Sequence, residues 1–134
     1  MASRDSLREA RSWIQRAFND RAAASPETSL ELLRQGLAEA QQHGNERAIA
    51  RLAKNIGLIC VHLGDWQSAV SSYLEALVYT PDDGYLVFAL GDAHRRLGQE
   101  QKAAEYFSLC RELAIEGGDQ ELLELLRTME GQSR

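Results

Sequence analysis

Ile56-Gly57, Leu63-Gly64, Ala69, Tyr73 and Ala76 return as Leu90-Gly91, Leu97-Gly98, Ala103, Phe107 and Cys110, each at a spacing of 34 residues. No other feature of this chain constrains its fold as strongly. Two segments with one pattern of small and large apolar residues build the same unit, and each unit buries its apolar face on the next. A weaker copy lies upstream, where Leu33, Leu37 and Ala40 precede Ala69, Tyr73 and Ala76 by 36 residues. A further echo sets residues 44–52, GNERAIARL, beside 118–126, GDQELLELL.

Within each copy the apolar residues recur every three or four positions, which is the period of a helix. The chain has only two prolines, and 44% of its residues are hydrophobic. We therefore expect an all-α fold with helices over about 3–22, 26–43, 46–63, 66–79, 84–97, 100–116 and 120–130. Ser25-Pro26 breaks the first from the second. Gly44, Gly64 and Gly98 supply helix stops, Asn45 an N-cap, and Pro81 ends a helix before Asp82 or Asp83 caps the next. Gly117-Gly118-Asp119 makes the last joint, and the tail GQSR is expected to fray. The joints are short, so sequential helices become antiparallel neighbours.

The residue types suit that arrangement. Gly57 and Gly91 allow close helix approach, because a side chain there would push the partner helix away. Ala69, Ala76, Ala103 and Cys110 keep the facing helix equally slim. Tyr73 and Phe107 are expected to fill the gap between one unit and the next. Leu122, Leu123, Leu125, Leu126 and Met129 give the last helix an apolar face to cap the stack.

A period of 34 residues holding two helices, with Ile56-Gly57, Leu63-Gly64, Ala69, Tyr73, Ala76 and Pro81 and their second copy, resembles the tetratricopeptide-repeat proteins. The second copy departs from the family pattern where Ile115 stands in place of a proline. The resemblance implies a tetratricopeptide-repeat superhelix in one domain over 1–134, with units at about 3–43, 46–81 and 83–116 and a capping helix at about 119–131. It also implies that the first helix of each unit lines a concave groove that binds an extended peptide or a helix of a partner protein. On that face we expect Arg51, Lys54, Asn55, Leu58 and His62, followed by Tyr85, Phe88, Asp92 and Arg95. Cations beside aromatic rings suit an acidic or C-terminal peptide. Some family members hold a C-terminal carboxylate with a clamp of Lys, Asn and Arg. Here Asn55 matches its asparagine, but Phe18, Ala22, Tyr85 and Ala89 occupy the other places, and none is basic. The alternative reading is self-association through a terminal helix to give a homodimer or larger homo-oligomer.

Other classes fit less well. A net charge of −5 disfavours a general nucleic-acid binder. There is no apolar run long enough to span a membrane. The N-terminal stretch is amphipathic and rich in arginine, but it carries Asp5, Glu9 and Asp20 and lacks the apolar core of a secretory signal. Cys60, His62, His94 and Cys110 match no zinc spacing, and Cys60 and His94 hold equivalent repeat positions facing the unit interior. There is no phosphate loop and no paired nucleophile and base. We expect no cofactor, no metal and no catalysis, and a cytoplasmic protein with both cysteines reduced.

Overall fold

The computed structural model describes Ile14 and residues 25–132. The helix expected over 3–22 lies outside them, apart from Ile14, as do the last two residues of the expected tail. The chain divides into two compact units, Met1–Thr80 and Pro81–Arg134. The first contains α1 (Pro26–Gln42), α2 (Glu46–His62) and α3 (Trp66–Tyr79). The second contains α4 (Gly84–Arg96), α5 (Glu100–Gly117) and α6 (Gln120–Gln132). No strand occurs among the described residues. His43, Leu63 and Leu97, expected as the last helical residues, are instead the C-caps of their helices.

One turn is used four times. Gly44, Gly64, Gly98 and Gly118 have φ of 61°, 75°, 76° and 64°. This left-handed backbone is strained for any residue with a Cβ. The N–H of the residue after each glycine donates to a carbonyl five positions back: Asn45 to Ala40, Asp65 to Cys60, Gln99 to His94 and Asp119 to Ala114, at 2.9–3.1 Å. Each glycine N–H closes a second bond, to Gln41, Val61, Arg95 and Ile115. These are Schellman closures. The residue after the glycine also opens the following helix. Oδ1 of Asn45, Asp65 and Asp119 accepts from the N–H of Ala48, Ser68 and Leu122, each at 3.1 Å. One residue thus closes one helix and caps the next, which leaves the joint no slack. The joint after α3 is built differently. Thr80 Oγ1 donates to the Ala76 carbonyl at 3.0 Å, and Asp83, not Asp82, caps α4 through the N–H of Leu86 at 3.2 Å.

In the first unit α2 packs against both α1 and α3. Leu33, Leu52, Ile56 and Tyr73 are fully buried there among Ala48, Ala53, Ala69 and Ala76. Burying each of the larger apolar side chains contributes on the order of 1.5–3 kcal/mol. Gln41 Nε2 donates to Glu75 Oε2 at 2.8 Å, which links α1 to α3. In the second unit α5 packs against α4 and α6 around Leu86, Val87, Leu90, Cys110, Leu122 and Leu126. Cys110 meets the Gly84 carbonyl, Phe107 meets Phe88, and Gln99 meets His94. Partner numbers fall along α5 as they rise along α4, so this pair is antiparallel.

The repeat glycines decide how closely the helices nest. A Cβ built on Gly57 would lie 2.4 Å from Tyr73 Cε1, and one on Gly91 would lie 2.7 Å from Phe107 Cε1. Each aromatic ring lies against the glycine of its own helix pair. This corrects the expectation that Tyr73 and Phe107 fill the gap between units. Spacing alone locates the ring along its helix; the missing Cβ on the facing helix draws it inside the pair.

Both cysteines are free and buried. Burial pushes the Cys60 thiol up, and it pushes Cys110 up to about 11. Cys60 and His94 both face the interior, at 1% and 5% exposure. Where the first unit pairs Cys60 with the capping Asp65, the second pairs His94 with Gln99. Gln99 makes no side-chain cap; its Oε1 lies 2.6 Å from His94 Nδ1, and the His94 ring stacks on Tyr106 at 5.3 Å.

Candidate functional site

The expected contact residues lie on the first helix of each pair, and each unit presents its own set. On α2 they form a single stripe, because 51, 54, 55, 58 and 62 fall at intervals of three or four. Arg51 and His62 are exposed, and Leu58 is 47% exposed. Lys54 and Asn55 are half-buried, and Asn55 Nδ2 donates to the Arg51 carbonyl at 2.8 Å. That bond fixes the amide against the helix backbone and leaves its Oδ1 as the acceptor. The inner side of α2 carries Ala48, Leu52, Ala53, Ile56 and Gly57, which explains why the polar residues face outward. An aliphatic side chain half in water among Arg51, Lys54 and His62 gives this stripe both charge and apolar area.

On α4 the same repeat positions carry different chemistry. Tyr85 takes the place of Arg51, Phe88 that of Lys54 and Asp92 that of Leu58. Tyr85 is 41% exposed, and its hydroxyl donates to Asp119 Oδ1 at 3.4 Å. Burial, followed by the Asp119 and Glu121 carboxylates, raises the Tyr85 phenol above its ordinary value. Phe88 is half-buried, with its ring centroid 5.6 Å from that of Phe107. It therefore serves the helix pair as well as the surface. Asp92 accepts from Arg95 Nη2 at 2.9 Å and lies 3.9 Å from Arg96 Nε. Arg95 Nε is buried without an acceptor.

Sequence reasoning missed three of these relationships. The Arg96 share of Asp92 follows from the i, i+4 spacing and was legible. The Asp119 partner of Tyr85 was signalled only by their separation of 34 residues. The stacking of His94 on Tyr106 had no signal in the pattern of small residues.

Comparison with known proteins bears on the geometry just described. The family model described as Tetratricopeptide repeat matches residues 52–85. Among solved structures, the TPR domain of Arabidopsis FLU matches with a TM-score of 0.69 at 16% identity, covering 80% of this chain and 95% of that one. Over residues 52–85 the chain matches one tetratricopeptide repeat. Its fold is the all-α tetratricopeptide-repeat fold expected from the sequence. MamA also matches, with a TM-score of 0.49 at 14% identity, covering 84% of this chain and 76% of that one. The search of curated proteins returned no match. The family match begins at Leu52 and spans α3 and the first residues of α4. It thus brackets the Gly57–Tyr73 contact and the Gly64 turn, the two features of the tetratricopeptide repeat that set its helix spacing. No described helix is long and apolar enough to cross a membrane.

Proposed function

We propose that the chain is a non-catalytic interaction module, built from repeat units at about 46–81 and 83–116, that binds a segment of a partner protein through the first helix of each unit. Tetratricopeptide-repeat domains in general serve protein–protein interaction. The observation that carries the reading here is the α2 stripe, where Arg51, Leu58 and His62 are exposed along one line with Lys54 between them. Cations around an exposed leucine suit an acidic segment with an apolar anchor, since carboxylates pair with guanidinium and ammonium groups. On α4, in the second unit, Tyr85 and the Asp92–Arg95 pair form a contact set of their own, with a phenol and a guanidinium. Two free buried thiols accord with a reducing, cytoplasmic setting.

Selection from a displayed peptide library tests this, followed by titration of the selected peptide. Acidic peptides are expected, and Arg51→Glu with Lys54→Glu should weaken binding at least tenfold, about 1.4 kcal/mol, with unchanged helical circular dichroism. Equal affinity in the charge-reversed protein would rule out the α2 stripe. Light scattering on the same samples decides the alternative of self-association, which requires a mass that rises with concentration.

A further inference from the structure

The start of α6 is held to the first turn of α4 at two points, and α5 adds a third contact to the same turn. A Cβ on Gly84 would lie 2.6 Å from Leu122 Cδ2, so Leu122 sits directly on the Gly84 backbone. Cys110 Sγ donates to the Gly84 carbonyl at 3.3 Å from the intervening helix. Asp119 Oδ1 accepts both the Leu122 N–H at 3.1 Å and the Tyr85 hydroxyl at 3.4 Å. One carboxylate oxygen therefore starts α6 and ties it to α4. The Tyr85 ring is 41% exposed and follows Asp82, Asp83 and Gly84. It lies in a first helical turn, where backbone N–H groups lack intrahelical acceptors and opening costs least.

We propose that Tyr85 is a phosphoacceptor site whose modification releases α6 from α4. In the reaction the Tyr85 Oη forms a bond to the γ-phosphorus of Mg-ATP supplied by a protein tyrosine kinase. The bridging bond to the β-phosphate breaks, ADP leaves, and the phenolic proton passes to the kinase or solvent. The hydroxyl that donated to Asp119 is then gone, and a group of charge −1.5 to −2 stands in its place. Asp119 accepts the hydroxyl that the phosphate replaces, and the Glu121 carboxylate also acts on the Tyr85 phenol. Like charge at this distance turns the tie into repulsion, and Asp119 loses its position as the cap of α6. Leu122 and Leu126, buried at 1% and 2%, become accessible as the helix lifts. Because Tyr85 is also one of the contact residues proposed above, its phosphorylation would switch that surface as well. The release of α6 needs no partner, so the two ideas fail separately.

The test treats the full chain with a tyrosine kinase that favours acidic residues ahead of its target, together with Mg-ATP. The modified residue is mapped by mass spectrometry, and amide hydrogen exchange is followed over residues 119–132. The expected result is phosphate on Tyr85 and exchange in α6 at least tenfold faster. Asp119→Asn keeps a capping side chain but removes the charge, so in that phosphorylated variant the acceleration should fall below threefold. Tyr85→Phe should show no acceleration after the same treatment. Absence of phosphate on Tyr85 in the folded chain, unchanged exchange in α6, or equal acceleration in Asp119→Asn would each overturn the proposal.

Discussion

Gly57 and Tyr73 form a contact that neither residue explains alone. The ring is 1% exposed and lies where a Cβ on residue 57 would be, 2.4 Å from Cε1. Gly57→Ala gains about 1 kcal/mol of helix propensity and meets overpacking of about 1–3 kcal/mol. A fully buried ring has little room to yield, so we expect net destabilisation and a lower Tm. At Gly91 the facing Phe107 is half-buried, so its ring can swing outward, and Gly91→Ala should cost less. Tyr73→Leu combined with Gly57→Ala should recover much of the loss, and a double-mutant cycle reads that coupling. The buried thiols give a second residue-scale prediction. With Cys110 pushed up to about 11 and Cys60 also raised, iodoacetamide at about pH 8 should leave both unmodified in the folded chain while alkylating both in denaturant. The glycines and rings were legible in the sequence because they recur at one offset. The side of the helix that each ring faces was not legible, because periodicity counts residues along one helix and contains nothing about its neighbour.

At the scale of the element, four joints share one glycine turn, and in three of them the residue after the glycine both closes the preceding helix and caps the next. Asn45→Ala removes the cap of α2 and should cost about 0.5–2 kcal/mol, measured by urea denaturation. Asp65 holds the equivalent place before α3. The Ser68 hydroxyl, then the Ser68 N–H, and Arg34 hold its carboxyl below the usual carboxylate range. A lowered folded-state value stabilises above the unfolded value of about 3.9, and the stabilisation is lost as pH falls through the folded value. Between about pH 5 and pH 2 the Tm of the wild type should therefore fall more steeply than that of Asp65→Asn. Equal slopes would show that the charge of Asp65 adds nothing to the cap. Helix limits were read from sequence to within two residues because glycine, proline and Asn or Asp mark them chemically. Gln99 escaped that reading. It stands where Asp65 stands in the first copy, yet its side chain turns back to His94 instead of capping α5. Only the paired change from Cys60 and Asp65 to His94 and Gln99 hinted at it.

At the scale of the whole molecule, each unit keeps its glycines, alanines and large apolar residues inside and sets chemically varied residues on its first helix. The inner positions repeat between units: Gly57 matches Gly91, and Tyr73 matches Phe107. The outer positions do not: Arg51 becomes Tyr85, Lys54 becomes Phe88 and Leu58 becomes Asp92. The same inner set builds the fold twice, and the outer set differs because packing restricts it less, Phe88 against Phe107 being the exception. That is why the fold was legible in the sequence while the proposed contact surface rests on the resemblance. The most direct measurement is amide hydrogen exchange of the full chain with and without a selected acidic peptide. The account predicts slower exchange along residues 51–62 of α2 and 85–95 of α4, with α3 and α5 unchanged. Protection confined to α3 and α5 would contradict it.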